Sequence, residues 1–318
     1  MKKGFFQIVL WLCIVAVLTL LAMGVWLLFF GGSQTTESLK WLQFMQTIGT
    51  FLLPPVLCAW IWDENRKPFR WLGMTRSVDW KWYVRAVLIM VAAIPAINLL
   101  GDLNSRVELP ESLDFIEQSL RQKEELAAQL TERFLQADSL WGMVLNVGLL
   151  ALLPALSEEL TFRSTLQQII IHNSQFTIHN SPITRSVLPT NGRSGLRREG
   201  LNQSHIAIWI TAFIFSAVHM QFYGFVPRML LGALFGYMFV WTGSLWVPVL
   251  MHFVNNGIAV VVNYLIDNQG LASDSKNWAD TIGAGSTWWL GVLSLIVAVV
   301  LVITYPGRQE YVRRTRTQ

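Results

Sequence analysis

Apolar residues in this chain come in long unbroken blocks, and one block needs no interpretation beyond its length. Phe5–Phe30 carries no charged side chain, well past the roughly 20 residues with which a helix crosses a bilayer. Lys2 and Lys3 ahead of it resemble the start of a signal peptide. Such segments close on small residues after a shorter apolar run, whereas this one closes on Trp26, Leu27, Leu28, Phe29 and Phe30. A retained membrane anchor is expected. Seven further apolar stretches follow, at Trp41–Trp62, Tyr83–Leu100, Leu140 to about Ile171, Ile206–His219, Val226–Trp241, Leu245–Ile266 and Thr287–Tyr305. The pattern predicts an all-α, polytopic transmembrane helix bundle of about eight spans. Pro154 predicts a kink or break in the long fourth span, and the fifth is the shortest.

One segment has a different period. In Glu111–Asp138 the residues Leu113, Ile116, Leu120, Ala127, Leu130 and Phe134 recur at three, four or seven, with charges between them. That is an amphipathic helix, too polar to span and expected to lie on the external face of the bundle; a partner-binding coiled coil is the alternative. Asn173–Ser204 is rich in Asn, Ser, Thr and Arg and reads as a loop. No internal repeat supports an inverted-repeat transporter. The organisation expected is thus N-terminal spans over 1–110, the amphipathic helix over 111–138, a membrane core over 140–265, and a last span with a basic tail over 266–318.

Composition agrees with lipid as the solvent: 53% of residues are hydrophobic and 14% charged, where soluble domains carry about one quarter charged. A net charge of +4 raises nucleic acid as a partner, but its placement argues against that. Arg66, Lys67, Arg70, Arg76 and Lys81 fill one short connection; Arg185, Arg193, Arg197 and Arg198 another; Arg308, Arg313, Arg314 and Arg316 the tail. With eight spans and a cytoplasmic amino terminus, all three fall inside. The acidic segments, with Glu108, Glu111, Glu117, Glu124 and Glu125 in one and Asp267, Asp274 and Asp280 in the other, fall outside, as the positive-inside bias requires. Both termini are expected in the cytoplasm. Cys13 and Cys58 are too few for a disulfide framework or a paired-cysteine zinc site.

Candidate chemistry lies where charge sits in apolar sequence. Glu158, Glu159 and Arg163 stand deep in the fourth span, and of the five histidines only His219 and His252 lie in spans. Ionisable groups in hydrocarbon are expensive and default to function. They form three short patterns: Glu158-Glu159-x-x-x-Arg163, Phe215-x-x-x-His219 and His252-x-x-x-Asn256. Glu159 and Arg163 share a helix face in the favourable order and suit a supporting ion pair. Glu158 is turned about 100° away, free to meet another helix. An acid, two imidazoles and a carboxamide converging on one cavity would suit amide hydrolysis: a desolvated glutamate activates water, a histidine orients it, and His252 with Asn256 donate to an oxyanion.

These three patterns, in this order on successive helices, resemble those of the CPBP family, which includes the type II CAAX prenyl endopeptidases and the bacteriocin-processing Abi proteins. The resemblance covers roughly residues 140–265. It implies an intramembrane endopeptidase with Glu158 as the base, His219 as its helper, His252 and Asn256 at the oxyanion site, and Glu159 and Arg163 in support. It implies a peptide or protein substrate at the membrane, lipidated in some members, and no nucleic acid. No cofactor is expected. A zinc reading draws on the same histidines and glutamates, yet HExxH is absent. A non-enzymatic scaffold, immunity protein or proton-coupled carrier would keep the Glu159–Arg163 pair without needing His219 and Asn256 together.

Overall fold

A computed structural model describes residues 2–63, 66–179, 193–268 and 282–317. The described residues hold helices and no strand. Among the described residues seven helices are long and apolar enough to cross a membrane: α1 (Gly4–Phe30), α2 (Thr36–Trp62), α3 (Trp80–Ser105), α5 (Leu140–Asn173), α7 (Phe222–Thr242), α8 (Trp246–Asp267) and α9 (Gly285–Tyr311). Between α3 and α5 lies the amphipathic α4 (Asp114–Leu135), entered through a single 3₁₀ turn at Glu111–Leu113. The fifth expected span is α6 (Ser204–Ala217), a shorter apolar helix that continues backwards to Arg193. Its apolar part reaches only about 21 Å at 1.5 Å per residue, short of the ~30 Å of hydrocarbon. Part of Asn173–Ser204, expected as a loop, is therefore helical: Gln168–His179 on one side and Arg193 onward on the other. Residues 180–192, and all of the acidic segment 267–280 after residue 268, lie outside the described residues.

Short as it is, α6 carries the chain from one end of the bundle to the other. At one end Gln168 Nε2 donates to Trp71 O at 3.1 Å, Trp246 Nε1 to Met74 O at 2.8 Å, and Arg85 to Thr304. Gly4 lies against Asn173 there, and Gly307 against Thr242. At the opposite end Trp26 Nε1 donates to Ser38 O at 2.9 Å, Lys40 Nζ to Asn146 Oδ1 at 2.7 Å, and Asn104 Nδ2 to Phe222 O at 2.9 Å. The first described helix and the last thus have their outer ends on the same face, the arrangement that eight crossings require. The basic connection 66–81 shares that face, and α4 lies on the other.

The predicted break around Pro154 takes a specific form. Pro154 sits in the first turn of an α-helical stretch (Leu153–Glu159), where a missing N–H costs least. It is flanked by wider π-helical turns at Val147–Leu152 and Leu160–Gln167. Such turns recur at functional sites because they re-aim side chains without ending the helix. The core gathers round α5. Cys58, Phe162, Leu166 and Phe215 pack with Trp11 on one side, Ala59, Ala155, Leu160 and Val249 on another. A further cluster joins α3, α7 and α8 through Ile89, Met90, Phe235, Met238 and Met251.

Glycine in α7 permits a close approach to α6. A Cβ at Gly232 would meet Phe215 Cδ1 at 3.0 Å, and one at Gly236 would meet Ile208 Cγ2 at 3.0 Å. This small-x-x-x-small spacing is how membrane helices bring backbones together. It also bares two carbonyls: Arg163 Nη2 donates to Gly232 O at 3.0 Å and Gln167 Nε2 to Gly236 O at 3.2 Å. The spacing stands in the sequence, yet the buried donors it serves, one guanidinium and one amide, are on another helix.

Candidate active site

Arg163 is the bulkiest fully buried side chain in the bundle. Its Nε lies 3.0 Å from Glu159 Oε2, with the two side chains 1% and 0% exposed. The guanidinium also stacks on the Phe215 ring, 4.6 Å from its centroid, and lies 5.4 Å from that of Phe235. Ion pair, carbonyl and ring faces together hold a charge that hydrocarbon alone would reject. The expected one-turn pairing of Glu159 with Arg163 forms, although the chain between them enters the wider π-helical turns.

The second oxygen of Glu159 reaches α8. His252 Nδ1 lies 2.9 Å from Glu159 Oε1, both buried. A carboxylate accepts, so Nδ1 carries the hydrogen and donates. The imidazole is clamped further by stacking on Phe235, ring centroids 5.3 Å apart, and by an edge contact with Phe215 at 6.1 Å. Its other nitrogen, Nε2, faces Glu158 Oε2 at 3.9 Å. One histidine therefore stands between the two adjacent glutamates. The 100° turn from Glu158 to Glu159 sends them to opposite sides of one ring on α8.

Glu158 is built differently from its neighbour. Its side chain keeps 17% exposure while that of Glu159 keeps none, and its Oε2 is buried without a hydrogen-bond donor. A gap of 3.9 Å to Nε2 is too long for a hydrogen bond and is spanned readily by one water lying at about 2.8 Å from each. His219 closes the short α6 in the turn before α7, where Met220 takes a left-handed φ of 55°. Its Nδ1 lies 2.7 Å from Phe215 O and must donate to it, leaving Nε2 as the open nitrogen. Asn256, one turn beyond His252, is held loosely: Nδ2 donates to Leu150 O at 3.4 Å, and Oδ1 accepts from Asn255 at 3.1 Å. Phe215 is common to the set, touching Arg163, His219 and His252.

The amphipathic α4 lies over the turn that carries His219. Tyr223 N donates to Glu124 Oε2 at 3.3 Å, and the Arg121 guanidinium sits 4.4 Å from the Tyr223 ring centroid. Beside this turn stands a residue that sequence reasoning missed. Arg228, in the first turns of α7, donates through Nη2 to Gln221 Oε1 at 2.7 Å, and its Nη1 is buried with no partner. Its charge acts on Glu158 and on His219 alike. The signal was an arginine inside the apolar stretch Val226–Trp241, two places in, where it reads as a span-end residue. His172 and His205, on either side of Asn173–Ser204, are exposed, and His205 bonds the Tyr237 hydroxyl at 2.8 Å.

Among the described residues no three of His, Cys, Asp and Glu converge as a metal-binding set. Glu158 and Glu159 approach opposite nitrogens of His252, so the two carboxylates cannot join that ring on one ion.

Residues 140–258 match the family model described as Rce1-like, type II CAAX prenyl endopeptidase Rce1-like. The match takes in all three motifs, and the resemblance read from them is borne out over this region. A stretch of 63 residues is 33% identical to a Bacillus subtilis (strain 168) protein described as "Uncharacterized protein YpbD", covering 19% of this chain and 33% of that protein. The chain thus matches about a third of that relative's length. No solved structure matches.

Proposed function

We propose, from an Rce1-like core at residues 140–258, that this membrane protein is an intramembrane endopeptidase of the CAAX-protease-like type in which Glu158 activates the attacking water. One observation carries the reading: Glu158 Oε2 is buried, undonated and 3.9 Å from an imidazole nitrogen whose ring is fixed from behind by Glu159. Glu159 Oε2 also lacks a hydrogen-bond donor but has Arg163 Nε at 3.0 Å as an ion-pair partner, whereas among the described residues Glu158 Oε2 has no such partner nearer than the His252 nitrogen at 3.9 Å. Buried acceptors left open are costly, and a reactant water is the natural occupant.

In this mechanism water gives one hydrogen to Glu158 and the other to His219 Nε2, so its lone pair points at the substrate carbonyl carbon. As the C–O bond forms, the proton passes to the Glu158 carboxylate. The carbonyl oxygen gathers negative charge, which the Asn256 amide stabilises, joined by His252 Nε2–H when both nitrogens of that ring carry a hydrogen. Collapse of the intermediate breaks the C–N bond, and Glu158 returns the proton to the departing amine. Glu159 and Arg163 hold His252 in register and touch no reacting atom. No metal enters these steps. The substrate is a peptide or protein segment at the membrane, and the face bearing both outer helix ends and the basic connections is cytoplasmic.

The test is proteomics of newly formed amino- and carboxyl-terminal fragments in cells carrying wild-type protein or Glu158→Gln, backed by cleavage with purified protein. Glu158→Gln keeps the shape of the site and removes the base, so turnover should fall by more than the 100- to 1,000-fold typical of one oxyanion donor. Identical fragments in both strains would favour the scaffold or carrier reading. Cleavage that stops with a chelator and returns with zinc would favour a metalloprotease.

A further inference from the structure

Away from the motifs, α2 and α5 separate towards the face that bears α4 and leave a groove of about 750 Å³. Its wall is apolar and lipid-facing, with Trp41, Phe44, Leu145, Leu149, Leu152 and Leu156 along it. Two charges stand at its mouth, Glu37 and Lys40, one turn apart on α2. They are not paired with each other: neither has an ion-pair partner within 4.0 Å among the described residues.

Lysine near a bilayer surface ordinarily extends its ammonium to water. Lys40 is instead turned onto the protein. Its Nζ donates to Asn146 Oδ1 at 2.7 Å, and the Asn146 amide is held by the Leu135 and Gln136 carbonyls at 3.0 and 3.4 Å. Asn146 is 2% exposed, so the acceptor that aims the ammonium is itself rigid. One of three donors is used, and the remaining two meet a groove whose volume falls in the range of ordinary ligand sites. A positioned cation, an anion one turn away and a tryptophan at the rim above an apolar channel together describe the two ends of a zwitterionic lipid.

We infer that this groove binds an aminophospholipid, with its phosphate on Lys40, its ammonium on Glu37 and an acyl chain along Leu149, Leu152 and Leu156. None of Glu158, His219, His252 and Asn256 lines the groove, so the inference holds or fails independently of peptide hydrolysis. Charge complementarity selects this occupant. An anionic headgroup such as phosphatidylglycerol would satisfy Lys40 and meet the Glu37 carboxylate with repulsion.

The test is native mass spectrometry of the full chain released from nanodiscs of equal phosphatidylethanolamine and phosphatidylglycerol. Wild-type protein and Glu158→Gln should each retain one phosphatidylethanolamine through stepwise activation. Glu37→Gln should erase the preference between the two lipids, and Lys40→Gln should lower retained lipid by about tenfold, the scale of one charge-assisted hydrogen bond. Glycerophosphoethanolamine, which lacks chains, should not displace the lipid. Retention of neither lipid, equal or greater retention of phosphatidylglycerol by wild type, or displacement by the chainless headgroup would overturn the assignment. Should Lys40→Gln not purify as a folded protein, the comparison of wild type with Glu37→Gln decides the question alone.

Discussion

The bundle contains the same local motif in two solvents. Glu159–Arg163 on α5 and Glu117–Arg121 on α4 are both acid-to-arginine pairs four residues apart, at 3.0 and 2.6 Å. The first is buried on both sides, whereas the second leaves Arg121 48% exposed. In water such a pair contributes little, because each ion was already solvated and salt screens what remains. In the apolar core neither ion has an alternative partner, so each depends on the other. The dry pair also recruits neighbours: Gly232 O, the Phe215 and Phe235 rings and His252 all turn towards it. Arg121 has the Tyr223 ring and little else. Identical spacing therefore organises a site in one place and decorates a surface in the other.

The largest expected effect breaks the dry pair. Arg163→Ala strands the Glu159 carboxylate and the Gly232 carbonyl, and should cost roughly 3–5 kcal/mol, seen as lower protein level and melting temperature. Arg121→Ala should leave both unchanged. Equal responses from the two variants would remove the distinction drawn between them. Arg163→Lys should rescue only in part, since an ammonium cannot fork between Glu159 and Gly232 while lying flat on Phe215.

Next in size is a loss of rate without a loss of fold. Asn256 is loosely held and contributes little to packing, so Asn256→Ala should lower turnover about 100- to 1,000-fold at near-unchanged melting temperature. A variant that unfolds instead would move Asn256 from the reacting group to the scaffold. Glu159→Gln should show the opposite pattern, with stability falling alongside rate because it releases both His252 and Arg163.

The smallest effect belongs to the wet pair and is read through pH. Glu117 accepts from the Leu109 N–H at 2.7 Å and from Arg121, and these contacts, the backbone one first, hold its carboxyl below the usual range. A carboxyl depressed in the folded state contributes its stabilisation fully above the free glutamate value of about 4.3 and loses it as pH falls through the lower folded value. The protection factors of the α4 amides, exchange rates divided into the intrinsic rate at each pH, should therefore be flat from neutrality to about pH 5 and fall below about pH 4. Glu117→Gln should abolish that acid step. A step that persists in this variant would assign it to another α4 carboxylate.

Much of this could be read directly from residue order. The long apolar blocks determined the spans, because a bilayer accepts only helices whose backbone is satisfied internally. The recurrence from Leu113 to Phe134 determined the amphipathic helix, and charge inside apolar sequence picked out Glu158, Glu159, Arg163, His219 and His252. Tertiary structure decided the rest, since it depends on which helices meet. It set His252 between two glutamates, and it placed Arg228 beside the candidate site although its sequence position suggested a span end. It also turned the Gly232 and Gly236 carbonyls to buried donors on α5, and ended the short α6 in a turn that packs beneath α4. Solvent preference is a property of each residue and survives in one dimension. Partnership in a dry interior is a property of pairs, fixed by packing between helices far apart in the chain.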